Sequence, residues 1–326
     1  MRNRPVVTVT RRLPDEIEAE IGQSFDARFN RDDRPLPAAQ LRQALSDSDA
    51  ILCTVTDRFT EDVLAAEPLR VRLLANFGVG FNHIDMRLAG RRGIRVTNTP
   101  DVLTDDTADL AIALMLMTLR RLGEGERLLR SGVWPGWAPT QHLGRRLTGK
   151  ALGIVGMGRI GRAVARRAAL GFGMRIRYAA PTALLPGEAA VLDAERVDTD
   201  ELFASSDVVS IHCRASAETR HLVNSRTLGR MAPHAVLINT ARGDIVDEAA
   251  LAAALEAGHL AAAGLDVYEE EPRVHPGLLH LENVVLLPHL GSATIETRLA
   301  MGRRALANLA AFFEGQPLPD EVSSEA

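Results

Sequence analysis

The 326-residue chain has only two cysteines, Cys53 and Cys213, far apart in apolar runs and in no CxxC or Cys/His cluster. That spacing argues for reduced thiols in a cytoplasmic setting and against a bound metal ion. No stretch of about 18 uninterrupted apolar residues occurs, which argues against a membrane-spanning helix. A net charge of −4 gives no general attraction for nucleic acid or an anionic membrane. The start, MRNRPVVTVTRR, is too poor in apolar residues for a secretory signal and reads as the lead into a first strand. Short-period repeats and low-complexity tracts are missing too, and only the last residues, PDEVSSEA, have a composition expected of disorder.

What is present suffices for a large core: 46% of residues are hydrophobic, and the length leads one to expect two domains. The runs PVVTVT, AILCTV, VRLLANF and IRVTNT are each followed by a helical or turn-rich stretch. The alternation restarts at Ala151 and continues through RIRYA, VVSIHC, AVLINTA, AAAGLDVY and VVLLPH. This is the pattern of parallel sheets covered on both faces, an α/β fold. One long helix is expected within TPDVLTDDTADLAIALMLMTLRRLGEGERLLRSG, before VWPGWAPTQHLGRRLTGK breaks the periodicity. A late helix in SATIETRLAMGRRALANLAAFFEG is expected to return to the first domain.

The segment ALGIVGMGRIGRAVA carries Gly156, Gly158 and Gly161 between an apolar strand and a helix expected to open near Gly161. Such a turn aims backbone N–H groups and the positive end of a helix at a pyrophosphate, so it points to a dinucleotide rather than to a plain tight turn. About 20 residues on, an NAD site normally places Asp or Glu on the ribose. Here the second strand ends in Ala179, Ala180 and Pro181, with no carboxylate before Glu188.

A dinucleotide site does not name a reaction, which must come from polar residues at strand ends. Three candidates are Arg242 in LINTARGDIVDE, Glu271 in GLDVYEEEP and His289 in VVLLPHLGSAT. Each has a plain alternative, as a solvent-facing arginine, part of a solvated acidic run, and one of nine histidines.

Taken in series, VTNTPDVLTDDTADLA, GKALGIVGMGRIGRAVA, INTARGDIVDEAAL, GLDVYEEEP and LLPHLGSAT resemble the D-isomer-specific 2-hydroxyacid dehydrogenase family, over roughly residues 45 to 315. The glyoxylate and hydroxypyruvate reductase branch is the nearest in pattern. The resemblance implies two Rossmann-like domains with parallel sheets. One is a discontinuous substrate domain, residues 1–99 and 294–326. The other is a central dinucleotide-binding domain, residues 100–293, with catalysis in the cleft between the two. It implies hydride transfer from NADH or NADPH to a small 2-oxo acid. Arg242 would bridge the substrate carboxylate and carbonyl oxygens, His289 would donate the proton, and Glu271 would favour the protonated ring.

By the same resemblance, Val79, Gly80 and Trp137 join Arg242 in binding the substrate. Thr107, Gly156, Gly158, Arg159, Ile160, Gly161, Cys213, Arg214, Thr240, Asp266 and His289 line the cofactor, and the chain forms a homodimer in which Trp137 reaches toward the partner. Plain alternatives stand beside these: a simple turn at Val79 and Gly80, caps at Thr107 and Asp266, and a tryptophan anchoring its own loop. Two departures from the family pattern bear on the cofactor, Arg214 where proline is common and AAPT where polar residues are common. Together they lead one to expect that NADPH is preferred or accepted, with Arg214 supplying the positive charge. A formate dehydrogenase-like chemistry would carry Gln in place of Glu271. A phosphoglycerate dehydrogenase often has a further regulatory domain, for which this chain is too short. A dinucleotide-sensing corepressor of the same fold would bind nucleotide without turnover.

Overall fold

Runs such as AILCT and LLANF have apolar residues at successive positions, and a strand of that kind is stable only where both faces of a sheet are covered. The computed structural model describes residues 4–323. The chain divides into two compact units, one made of residues up to Leu103 together with those from Thr294 onward, the other Thr104–Ala293. Boundaries had been expected near residues 99 and 293.

The first unit holds five strands, β1 (Val6–Val9), β2 (Asp26–Phe29), β3 (Ala50–Thr54), β4 (Leu73–Phe77) and β5 (Arg95–Thr97). They form one parallel sheet in the order β2-β1-β3-β4-β5. Every residue of β3 and β4 is buried, which accounts for their largely apolar character. Strand β2, DARF, has no such signature because it lies at the sheet edge with alternate residues exposed. The late helix, Ile295–Phe313, belongs to this unit and packs against β4 and the helix Asp15–Ser24.

The second unit contains β6 (Ala151–Val155), β7 (Arg175–Ala179), β8 (Ala194–Arg196), β9 (Val208–Ile211), β10 (Val236–Asn239), β11 (Ala262–Leu265) and β12 (Val284–Leu286). The parallel order is β12-β11-β10-β9-β6-β7-β8, so the direction of winding reverses between β6 and β9. Ligands of such sheets bind outside the carboxyl ends of the strands at this reversal. One face is covered by helices Thr104–Leu119 and Arg159–Phe172, which contribute Ala111, Leu114, Val164 and Ala168 to the core. On the other, Leu202, Phe203, Leu251 and Leu255 pack on Val209 and Leu237.

Two local expectations change. The single long helix is two, Thr104–Leu119 and Leu122–Arg130, broken where Arg121 takes a left-handed backbone. The Leu119 carbonyl accepts the Arg145 N–H (2.8 Å) instead of continuing the helix. The helix after the glycine turn opens at Arg159, with Gly158 as its N-cap, rather than near Gly161.

Candidate active site

Three loops leave the carboxyl ends of β10, β11 and β12, and each is shaped by side chains bonded to backbone. Asn239, fully buried, accepts the Ala241 N–H (3.0 Å) and donates to the Arg242 carbonyl (2.9 Å), forming the turn that carries Arg242. The next residue, Gly243, lies so close to the Tyr268 carbonyl and the Glu269 nitrogen that no Cβ fits there. The β10 turn and the loop after β11 are therefore in backbone contact. In that loop the Glu271 carboxylate accepts the Tyr268 N–H (3.0 Å) through Oε1 and meets His289 Nδ1 (2.9 Å) through Oε2. Glu248, buried at the start of helix Glu248–Glu256, accepts the N–H groups of Glu269 (2.8 Å) and His275 (3.1 Å), gripping the loop on both sides of Glu271.

His289 has φ 56°, a left-handed backbone that a residue with a side chain keeps only when its surroundings hold it. Asp266 does so. Its carbonyl accepts the His289 N–H (2.9 Å), and its carboxylate accepts those of Leu290 (2.7 Å) and Gly291 (2.8 Å). Thr107 donates to the Gly291 carbonyl (2.9 Å). Thr107 and Asp266 thus both support the histidine turn.

The charges are coupled. Burial pushes the Glu271 carboxyl up, but the hydrogen bond and charge of His289, the Tyr268 N–H and the Arg242 charge outweigh it and hold the group below its ordinary value. Burial lowers Arg242, opposed by Glu271 and Asp244, and a guanidinium remains a cation in any case. Burial also raises Asp266, against the pull of the Leu290 and Gly291 N–H groups. The result is an arginine cation, a carboxylate and a histidine in one network. With Nδ1 bonded to the carboxylate, Nε2 is the ring nitrogen left to exchange a proton.

At the reversal point, Gly156 has φ 94° and sits against the Cys213 backbone, where a Cβ would collide with the Cys213 nitrogen. A Cβ on Gly161 would collide with the Gly156 carbonyl. Gly158 has open space around it, and helix Arg159–Phe172 has neither a side-chain cap nor an acidic residue in its first turn. An uncapped first turn of this kind suits an anion, and Arg159 and Ile160 are its first residues. Burial pushes the Cys213 thiol up to about 11, so it is neutral. Thr240, at the end of β10, is buried with a hydroxyl that has no hydrogen-bond partner among the described residues.

In the first unit, the loop after β4 has its carbonyls fixed by two amides. Asn76 donates to those of Gly78 and Gly80 (3.0 Å each), and Asn98 donates to that of Val79 (2.9 Å). The N–H groups of Val79 and Gly80 donate to no described residue.

Residues 112–291 match the D-isomer specific 2-hydroxyacid dehydrogenase family, NAD binding domain. The chain belongs to this family. It is 43% identical to a glyoxylate reductase of Thermococcus litoralis, over 99% of this chain and 98% of that one. A solved 2-hydroxyacid dehydrogenase from Polaromonas superposes with a TM-score of 0.91 at 39% identity, covering 98% of this chain and all of that one. The NADPH-dependent glyoxylate/hydroxypyruvate reductase of Sinorhizobium meliloti, solved with NADP and malonate, gives 0.87 at 36% identity, covering 98% and 97%.

A 2-hydroxyacid dehydrogenase needs a nicotinamide dinucleotide, and the residues present fit one. The cradle at Gly156, Gly158 and Gly161 puts no side chain in the way of a pyrophosphate at an uncapped helix start, and the orphaned Thr240 hydroxyl is a buried donor awaiting an acceptor. In the second unit, Arg242, Glu271, His289, Asp266 and Thr107 come together, as do Gly156, Gly161 and Cys213. Arg214 is exposed beyond the end of β9. Trp137 is 81% exposed, and it is Trp134 that anchors the loop, through its indole N–H to Gln141 (3.1 Å). Sequence reasoning missed Asn76, Asn98, Asn239 and Glu248. An asparagine at or near a strand end, or an acid opening a helix, was the signal available, and it names no bonding partner.

No helix among the described residues is long and apolar enough to cross a membrane, and no cluster of three metal-binding side chains occurs among them.

Proposed function

We propose that the enzyme reduces a small 2-oxo acid, glyoxylate or hydroxypyruvate, to the D-2-hydroxy acid, with NADPH preferred or accepted alongside NADH. The observation that carries this is the network in which Glu271 holds His289 by Nδ1 while Arg242 lies within electrostatic reach of the same carboxylate. Arg242 binds the substrate carboxylate and polarises the adjoining carbonyl oxygen in a forked contact. His289, kept in register by Asp266 and Glu271, delivers its Nε2 proton to that oxygen, and Glu271 stabilises the ring while it is charged. The bound dinucleotide supplies the hydride. Val79 and Gly80 donate their unused N–H groups to the substrate carboxylate. Gly156, Gly158, Arg159, Ile160 and Gly161 hold the pyrophosphate, with Thr107, Cys213, Arg214, Thr240, Asp266 and His289 lining the rest of the cofactor.

A homodimer fits the surface of the second unit. Helix Leu122–Arg130 buries none of its residues, and its Leu122 and Leu129, with Val133, Trp137 and Leu143 in the segment that follows, are exposed apolar side chains, a concentration that marks an interface. The free thiols of Cys53 and Cys213 suit a reducing cytoplasm. Steady-state rates over a panel of 2-oxo acids with each reduced nicotinamide test the proposal. Turnover with glyoxylate or hydroxypyruvate is expected, whereas tight nucleotide binding with negligible turnover across the panel would replace the enzyme with a sensor.

A further inference from the structure

The end of β7 is where an acid would hold the adenosine ribose of NAD, and the side chain bonded there is an arginine from the neighbouring strand. Arg196, the last residue of β8, is in register with Tyr178 of β7. Its guanidinium reaches along β7, donating through Nε (3.1 Å) and Nη2 (2.9 Å) to the Ala180 carbonyl and through Nη2 (2.8 Å) to that of Pro181. Three bonds made by two nitrogens fix the plane of the group and leave Nη1 unengaged by any described residue. Three nearby acids are committed elsewhere. Glu188 pairs with Arg162 (3.1 Å), Glu195 pairs with Arg177 (3.4 Å), and Asp198 caps helix Thr199–Ser205. No carboxylate among the described residues pairs with Arg196, so the strand tip carries an uncompensated positive charge held by backbone carbonyls.

From this placement we infer that Arg196 is the specificity-determining residue for a phosphate on the ribose 2′ position, the group that distinguishes NADPH from NADH. A pre-oriented guanidinium with a spare N–H edge is suited to a phosphate, and Ala180 contributes no negative charge to repel it. Arg214, the residue first expected in this role, is less well placed. It follows β9 on the far side of β6, and Glu218 lies within electrostatic reach of it. The inference rests on the reading of the glycine cradle as a dinucleotide site, and the experiment separates the two.

Calorimetric titration of the full-length protein with 2′,5′-ADP and with ADP reports the 2′-phosphate contribution without catalysis. Wild type should bind 2′,5′-ADP more tightly, and Arg196→Ala should weaken that binding by roughly 10-fold or more, the range for a charge-assisted contact, while ADP changes less than about 2-fold. Arg196→Gln keeps donors for the Ala180 and Pro181 carbonyls but not the charge. It should therefore match Arg196→Ala in affinity and wild type in thermal stability. Raising ionic strength should erode the wild-type preference more than that of either variant. A preserved 2′,5′-ADP preference in both variants would overturn the role of Arg196 and leave the cofactor reading standing. Equal wild-type affinity for the two nucleotides would overturn the NADPH preference itself, and failure to bind either would overturn the cradle.

Discussion

Gly243→Ala tests whether the Arg242 turn and the Glu271 loop depend on each other. Gly243 is not at a positive φ, so any penalty there is one of space and not of backbone conformation. A methyl carbon at that position would lie well inside 3.0 Å of the Tyr268 carbonyl and the Glu269 nitrogen, a distance real Cβ atoms do not reach. Backbone on both sides leaves no flexible side chain to yield. Restoring ordinary contact needs a separation of about 1 Å or more, and a misplacement of that size at catalytic groups costs about 10²-fold. If the Tyr268 side gives way, Glu271 is carried off His289, because its Oε1 is tied to the Tyr268 N–H. If the Gly243 side gives way, Arg242 moves. Overpacking should also lower stability by about 1–3 kcal/mol. Steady-state kcat, the melting temperature and NADPH binding followed by fluorescence measure the three effects. The expected result is a kcat at least about 100-fold down with nucleotide affinity nearly unchanged, since Gly156 to Gly161 lie in a different loop. A variant with wild-type kcat and melting temperature would refute the argument.

Arg242→Ala and His289→Ala should each lower kcat by at least about 10²-fold, Arg242→Ala with little effect on nucleotide binding, and wild-type rates in either would remove the proposed roles. Because Glu271 is held below its ordinary 4.5, the stabilisation from its pairing is present above that value and lost as pH falls through the lowered one. Glu271→Gln should therefore melt earlier than wild type at pH 7, with the gap closing in strong acid. The same variant should also lower kcat, because the ring has lost its charged partner at Nδ1, and a wild-type kcat would contradict the pairing. Glu248→Gln leaves one strong acceptor for two backbone donors and should cut kcat more than it changes KM, with a shift in the pH profile that mere loss of stability would not give. Light scattering at micromolar concentration should find twice the 35.3 kDa chain mass, and Leu129→Glu should reduce it to the monomer, whereas a wild-type monomer would remove the proposed interface.

The primary structure by itself determined the α/β class, the inner strands and the glycine turn, and it singled out Arg242, Glu271 and His289 as candidates. Those features are written locally: a buried parallel strand must be apolar at successive residues, a pyrophosphate turn must lack side chains, and catalytic groups of such folds sit just past strand ends. The edge strands β2 and β8 were not legible, because DARF and AER are half or more exposed and carry no apolar run. The helix break at Arg121 was hidden as well, since the N–H that ends the first helix comes from Arg145, far along the chain. Tertiary structure alone decided what holds the loops of each unit in shape. Asn98 grips a carbonyl 19 residues away, Glu248 grips N–H groups 21 and 27 residues away, and Arg196 grips carbonyls 15 and 16 residues away. A bond between a side chain and a distant backbone group leaves no periodic trace in the sequence, because its partner is an amide or carbonyl that nearly every residue has. Only the folded chain selects which one is near.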